Sequence, residues 1–151
     1  MMKLAEALQE RADLNRRIAE LRSRLTDNAL TQEGERPAED PAELMAELDR
    51  CADLLEQYIA RINLTNCYTV VEGRTLTELL ACRDRLILQI GAYRDLVSSA
   101  SQTGRRARGT EIKVLSTVNV AEIQKRVDAM SRELRALDNT IQQANWTTEL
   151  Q

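Results

Sequence analysis

The chain has 151 residues, of which 30% are charged, and its formal net charge is 21 − 24 = −3. This charge gives no overall positive field, which argues against specific nucleic-acid binding as the main task. Histidine is absent, so the chain lacks the usual general base near neutral pH and the commonest metal ligand, and we expect neither an enzyme nor a cofactor.

The first two predicted helices carry apolar stripes at three- and four-residue steps. They should cover about residues 3–25 and 41–62, joined by a long connection that contains Gly34 and Pro37 and ends before Pro41, a good first residue of a helix. The first stripe consists of Leu4, Ala7, Leu14, Ile18, Leu21 and Leu25. The second consists of Leu44, Leu48, Cys51, Leu55, Tyr58 and Ile62. Both stripes must be buried against other helices.

A strongly acidic segment surrounds the start of the second helix. Residues 33–49 contain seven acidic side chains against Arg36 alone. A solvated helix face is the simpler interpretation, and an electrostatic contact with a basic partner is the alternative.

Two short strands and two further helices complete the predicted elements. A β-rich segment at about 67–71 precedes a helix over about 76–99, and an alternating segment at about 112–118 precedes a helix over about 120–144. The last helix has its stripe at Ile123, Val127, Met130, Leu134, Leu137, Ile141 and Ala144. A helix of two dozen residues would separate the strands by roughly 35 Å, so pairing between chains is easier than pairing within one.

Together these patterns predict a single, mainly α domain over residues 1–151. We expect an antiparallel bundle or coiled coil of about four long helices, with two short β segments in the connections between helices.

The loop at residues 104–109 holds the only local concentration of positive charge. Its candidate contact residues, with one lysine that follows, are Arg105, Arg106, Arg108 and Lys113. They could bind an anion or nucleotide, or the acidic segment of a neighbouring copy. The loop lacks both the phosphate-loop spacing and interleaved aromatic residues, so a solvated loop is the simpler interpretation.

The cysteine pattern and the N-terminus favour a cytoplasmic protein. Cys51, Cys67 and Cys82 are odd in number and form no C-x-x-C motif, so we expect buried free thiols. The first residues resemble no secretory signal, and no apolar run is long enough for a stable membrane insertion.

Four segments carry a resemblance to a known family. They are MKLAEAL at 2–8, RADL at 11–14, GRTLT at 73–77 and IQQANWTT at 141–148. The chain resembles, over essentially its whole length, a family of small bacterial proteins often labelled septicolysin. The label implies a pore-forming cytolysin, and the resemblance supplies no functional residues.

The leading hypothesis is a cytoplasmic helical scaffold or interaction protein that forms a homo-oligomer through its helix stripes. The strong patterns in the sequence are apolar helix faces that need to be buried, and none of them indicates a catalytic site. The alternatives are the pore-forming cytolysin and an anion- or nucleotide-binding protein that uses residues 104–109.

Overall fold

A computed structural model describes residues 1–103 and 111–151. Within them lie four helices and a hairpin of two short strands, which confirms the mainly α prediction. In chain order the elements are α1 (Leu4–Asp27), α2 (Pro41–Tyr68), β1 (Val70–Val71), β2 (Arg74–Thr75), α3 (Leu76–Ala100) and α4 (Val120–Thr147).

The chain divides into two compact units. Unit 1 comprises Met1–Thr75 and Ala144–Gln151, and unit 2 comprises Leu76–Gln143. The single domain inferred from the sequence stays a prediction.

Unit 1 is built on an antiparallel pair of helices, α1 and α2. Their predicted stripes meet, and the buried centre of this contact consists of Leu14, Leu21, Leu44 and Cys51. Around this centre pack Ile18, Leu25, Leu48, Leu55 and Tyr58. Asp40 caps α2 by accepting a hydrogen bond from the Ala42 N–H at 3.0 Å, and Pro41 is the first helical residue, as predicted.

The predicted strand at about 67–71 is shorter than expected, because Cys67 and Tyr68 still belong to α2. The helix continues to Tyr68 because its buried face extends past Ile62 to Thr65, whose side chain is fully buried. The strand β1 begins only at Val70 and pairs with β2 across a two-residue turn. Both turn residues have positive φ, 52° at Glu72 and 81° at Gly73, which matches the twist of a tight hairpin.

The predicted strand at about 112–118 is not formed. The backbone there is irregular, apart from one bridge residue at Lys113. Ser116 folds the chain back locally: its Oγ donates to the Val118 carbonyl at 2.7 Å and accepts from the Val118 N–H at 3.3 Å. Such local side-chain bonds compete with strand pairing. Asn119 then caps α4 by accepting from the Glu122 N–H at 3.2 Å.

The two ends of the chain are fastened together within unit 1. The Leu4 N–H donates to the Thr148 carbonyl at 2.8 Å, and the Leu150 N–H donates to the Met2 carbonyl at 2.9 Å. Gln151 reaches α2, where its N–H donates to Thr65 Oγ1 at 2.9 Å and its carbonyl accepts from Arg61 Nε at 2.8 Å. The polar residues at this end of α2 therefore satisfy backbone groups.

In unit 2, α3 and α4 contact each other through an aromatic residue and an arginine. The Arg126 guanidinium lies 4.5 Å from the centroid of the Tyr93 ring, and its Nη2 donates to the Tyr93 hydroxyl at 3.0 Å. The inward residues of α3 are Leu79, Leu86 and Ile90, each at most 5% exposed. They follow one heptad stripe of the helix.

Candidate interaction surfaces

The basic loop proposed as a contact site lies largely outside the described residues. Arg105, Arg106 and Arg108 belong to the undescribed segment 104–110, and Lys113 is exposed on the connection that precedes α4. Their binding to an anion or to a neighbouring copy stays a prediction.

The acidic segment 33–49 meets arginines of its own helix pair. Arg24 forms a bidentate ion pair with Glu39: Nε donates to Oε2 at 2.9 Å, and Nη2 donates to Oε1. The carboxylate of Glu47 accepts from Arg17, with Nη2 2.5 Å from Oε1, and from Arg50 at its other oxygen. The helix α1 therefore supplies cationic partners that the sequence analysis sought in another copy.

The pair of Arg24 and Glu39 favours the charged form of each group. The hydrogen bonds from Arg24 lower the pKa of the Glu39 carboxyl below its ordinary value of 4.5. The hydrogen bond to Glu39 in turn raises the pKa of the Arg24 guanidinium. Asn28 fixes the geometry, because its Nδ2 donates to the Arg24 carbonyl at 2.8 Å and its Oδ1 accepts from the Glu39 N–H at 3.0 Å.

These charged groups line an open groove of about 500 Å³ beside the contact of α1 with α2. Its charged lining consists of Arg17, Arg24, Arg50, Glu39, Asp40, Glu43 and Glu47. Each arginine already faces a carboxylate, and Asp40 accepts the capping hydrogen bond of α2. The groove is therefore best understood as a solvated ion-pair network that joins two helices.

The three cysteine side chains differ in accessibility. Cys51 is buried in the contact of α1 with α2, and Cys82 is half-buried on α3. Cys67 is exposed, so the expectation of buried thiols was wrong for this residue. It failed because the segment around Cys67 continues α2 and turns this side chain outward.

The outward face of α3 exposes large apolar side chains. Ile87, Leu88 and Leu96 are 53%, 72% and 37% exposed. The apolar residues of α3 extend over more than one face of the helix. The spacing of Leu88 and Leu96, two helical turns apart and off the buried stripe, is the signal that could have revealed this second face.

The connection before α4 continues this apolar surface. Ile112, Val114 and Leu115 are 66%, 40% and 75% exposed. Val114 and Leu115 line a shallow groove of about 240 Å³ whose opposite wall includes Leu96 of α3. Unit 2 thus exposes large apolar side chains on α3 and on residues 112–115, and Leu96 lies beside Val114 and Leu115.

Comparison with known proteins corrects the resemblance drawn from the sequence. No curated protein matches the chain. A solved structure, described as that of a functionally unknown conserved protein from Corynebacterium diphtheriae, is 42% identical, covers 99% of both chains and superposes with a TM-score of 0.93.

The expected membership of the septicolysin family was wrong, since neither this structure nor the matching family model points to it. The segments that suggested it lie in α1, around the start of α3 and at the end of α4. In the described residues, no helix is both long enough and apolar enough to cross a bilayer. A model of a family of unknown function, DUF6847, matches residues 11–150. The chain therefore belongs to the DUF6847 family.

Proposed function

We propose that this protein is a self-associating helical scaffold or interaction protein. The observation that carries the proposal is the exposed apolar surface of unit 2, where Leu88, Ile112 and Leu115 are each more than half exposed. Large apolar side chains left exposed commonly mark protein contacts where they gather into a patch, as Leu115 does with Leu96 and Val114.

The energetic reason is the transfer of apolar side chains out of water. Covering one exposed leucine or isoleucine completely contributes about 1.5–3 kcal/mol, before the cost of association is subtracted. Several such side chains on one surface can offset that cost.

The contact between copies is proposed on unit 2, whereas the sequence predicted it on the helix stripes. The stripes of α1 and α2 are already occupied by each other inside unit 1, with Leu21 1% and Leu44 5% exposed. Those two stripes are therefore covered within the chain. We place the contact on the exposed apolar side chains of unit 2.

We also propose that the protein works in a reducing compartment, the cytoplasm being the simplest case. The support is the chemistry of its cysteines, because none of the three forms a disulfide within the described residues and Cys67 is exposed. Exposed free thiols are poorly suited to an oxidising compartment, where they form unwanted disulfides.

Co-expression of two differently tagged copies tests the self-association. We expect capture through the first tag to recover the second copy in a comparable amount. The control is a co-expressed unrelated helical protein that carries the second tag. Recovery of the first copy alone, with both copies folded by circular dichroism, would contradict the proposal.

A further inference from the structure

The outward face of α3 carries a second heptad stripe, which we call the outer seam. Its members alternate at four- and three-residue steps and are all exposed. They are Ala81, Arg85, Leu88, Ala92, Asp95 and Ser99. This spacing keeps the six side chains on one side of the helix, opposite the buried stripe of Leu79, Leu86 and Ile90.

We infer that two copies of this chain pair through their outer seams, with the two α3 helices antiparallel. The inference rests on the proposed function and adds to it the contact surface and the orientation. In an antiparallel helix pair that is aligned at Ile90, a residue before Ile90 faces the residue equally far after it in the second copy. The contact is then isologous, as a two-fold symmetric dimer requires.

The outer seam is self-complementary in this alignment. Leu88 faces Ala92 of the second copy, so a large side chain meets a small one. Arg85 faces Asp95 of the second copy, so a cation meets an anion. Ala81 faces Ser99 of the second copy at the ends of the contact. By symmetry each of these pairs occurs twice.

The two charged residues are available for such pairs. Among the described residues, the polar contacts of Arg85 run along its own helix: it donates to Gln89 Oε1 at 2.7 Å and approaches Cys82 Sγ at 3.6 Å. Asp95 is exposed and has no ion-pair partner in the part of the chain that the structure describes. Neither Arg85 nor Asp95 has an ion-pair partner within the described residues, and the two lie equally far from Ile90. This is the charge pattern expected of a helix that pairs with a second copy of itself.

Gly91 provides an independent observation. Glycine destabilises the interior of a helix relative to alanine, and here the fold gives no reason for it, because an added Cβ would meet no atom within 4 Å. Gly91 directly precedes Ala92, next to the outer seam and close to the centre of the proposed contact. In the alignment at Ile90, Gly91 faces Gln89 of the second copy at the edge of the contact, where the absence of a side chain on Gly91 lets the helix backbones approach closely.

Two charge-reversal variants, measured separately and then mixed, give the sharpest test. Arg85→Asp places like charges opposite each other in its own dimer, and so does Asp95→Arg. Each single variant should therefore self-associate roughly tenfold more weakly than the wild type at low salt, the combined effect of two modest surface contacts. An equimolar mixture of the two variants restores both opposite-charge pairs in the heterodimer, and its affinity should return to about the wild-type value.

The two substituted positions lie ten residues apart on one helix, so they do not contact each other within a chain. Rescue on mixing would therefore report a contact between copies in this alignment. Unchanged self-association of both single variants, or weakening without rescue in the mixture, would overturn the antiparallel outer-seam contact.

A second pair of variants tests the apolar part of the contact. Leu88→Lys should abolish association, while Leu30→Lys, the same change at a residue that is 90% exposed on the connection between α1 and α2, should leave it unchanged. Gly91→Gln should keep the fold, because the site is open within the chain, yet block the close approach of a second helix.

Sedimentation of the wild-type protein separates the two levels of the proposal. A wild type that stays monomeric overturns both the proposed function and the outer seam. A wild type that associates, with Leu88→Lys and Gly91→Gln associating equally well, overturns the outer seam alone.

Discussion

Asn28 illustrates how one buried polar side chain sets the geometry of a surface ion pair. It is 9% exposed and lies directly after the end of α1. Its amide joins the last turn of α1, through the Arg24 carbonyl, to the segment before α2, through the Glu39 N–H. Asparagine suits this position because it offers a donor and an acceptor on one planar group.

Asn28→Ala should destabilise the protein. The substitution leaves the Glu39 N–H and the Arg24 carbonyl without this partner, so we expect a loss of about 1–3 kcal/mol in the free energy of unfolding. Urea denaturation followed by circular dichroism measures it. Asn15→Ala, on the exposed side of α1, is the matched control, with an expected change within about 0.5 kcal/mol. Equal stability of the two variants would show that the Asn28 bridge contributes little.

The contact between α1 and α2 includes a pH-dependent element, the pair of Arg24 and Glu39. The pKa of the Glu39 carboxyl is lowered in the folded state, so its contribution to stability is complete above the ordinary pKa of 4.5. That contribution decreases as the pH falls toward the lowered pKa, because the unfolded chain takes up the proton first.

Glu39→Gln should therefore reduce the dependence of stability on pH below 4.5. Thermal unfolding of wild type and variant, measured at a series of pH values, gives this dependence, and added salt should weaken the difference because the pair is half-exposed. Glu33→Gln, at an exposed position on the same connection, is the control. Parallel pH profiles for the wild type and Glu39→Gln would contradict the role assigned to the ion pair.

At the level of elements, the spacing of apolar residues was sufficient to predict the buried side of a helix that has one apolar face. The stripes of α1 and α2 were predicted residue by residue because each meets one partner in the structure. Local chemistry also revealed helix starts, as at Pro41 and Asn119, because capping depends on residues close in sequence.

Prediction failed where two patterns compete for the same residues. The segment at 67–71 has strand-forming residues, yet burial of Ile62 and Thr65 extends α2 into it. On α3, apolar residues on two faces hid the difference between the buried Leu86 and the exposed Ile87. The sequence cannot say which face is covered within the chain, since that depends on the positions of other elements.

For the whole molecule, the candidate surface became visible only from the distribution of exposure. The fold class followed from composition and helical spacing, and the structure superposes with a TM-score of 0.93 on a 42% identical protein of unknown function. The contact surface did not follow, because an exposed Leu88 and a buried Leu86 are the same residue type in sequence. The basic residues of the loop, which the sequence offered only as a candidate site, remain a separate prediction.

Sedimentation equilibrium of the purified full chain at micromolar concentration tests the central claim of self-association most directly. We expect an average mass above the 17.1 kDa of one chain, rising with protein concentration, because association driven by apolar surface follows mass action. If the outer seam forms the contact, the average mass should first level off at that of a dimer. A mass that stays at 17.1 kDa throughout the micromolar range would contradict the account.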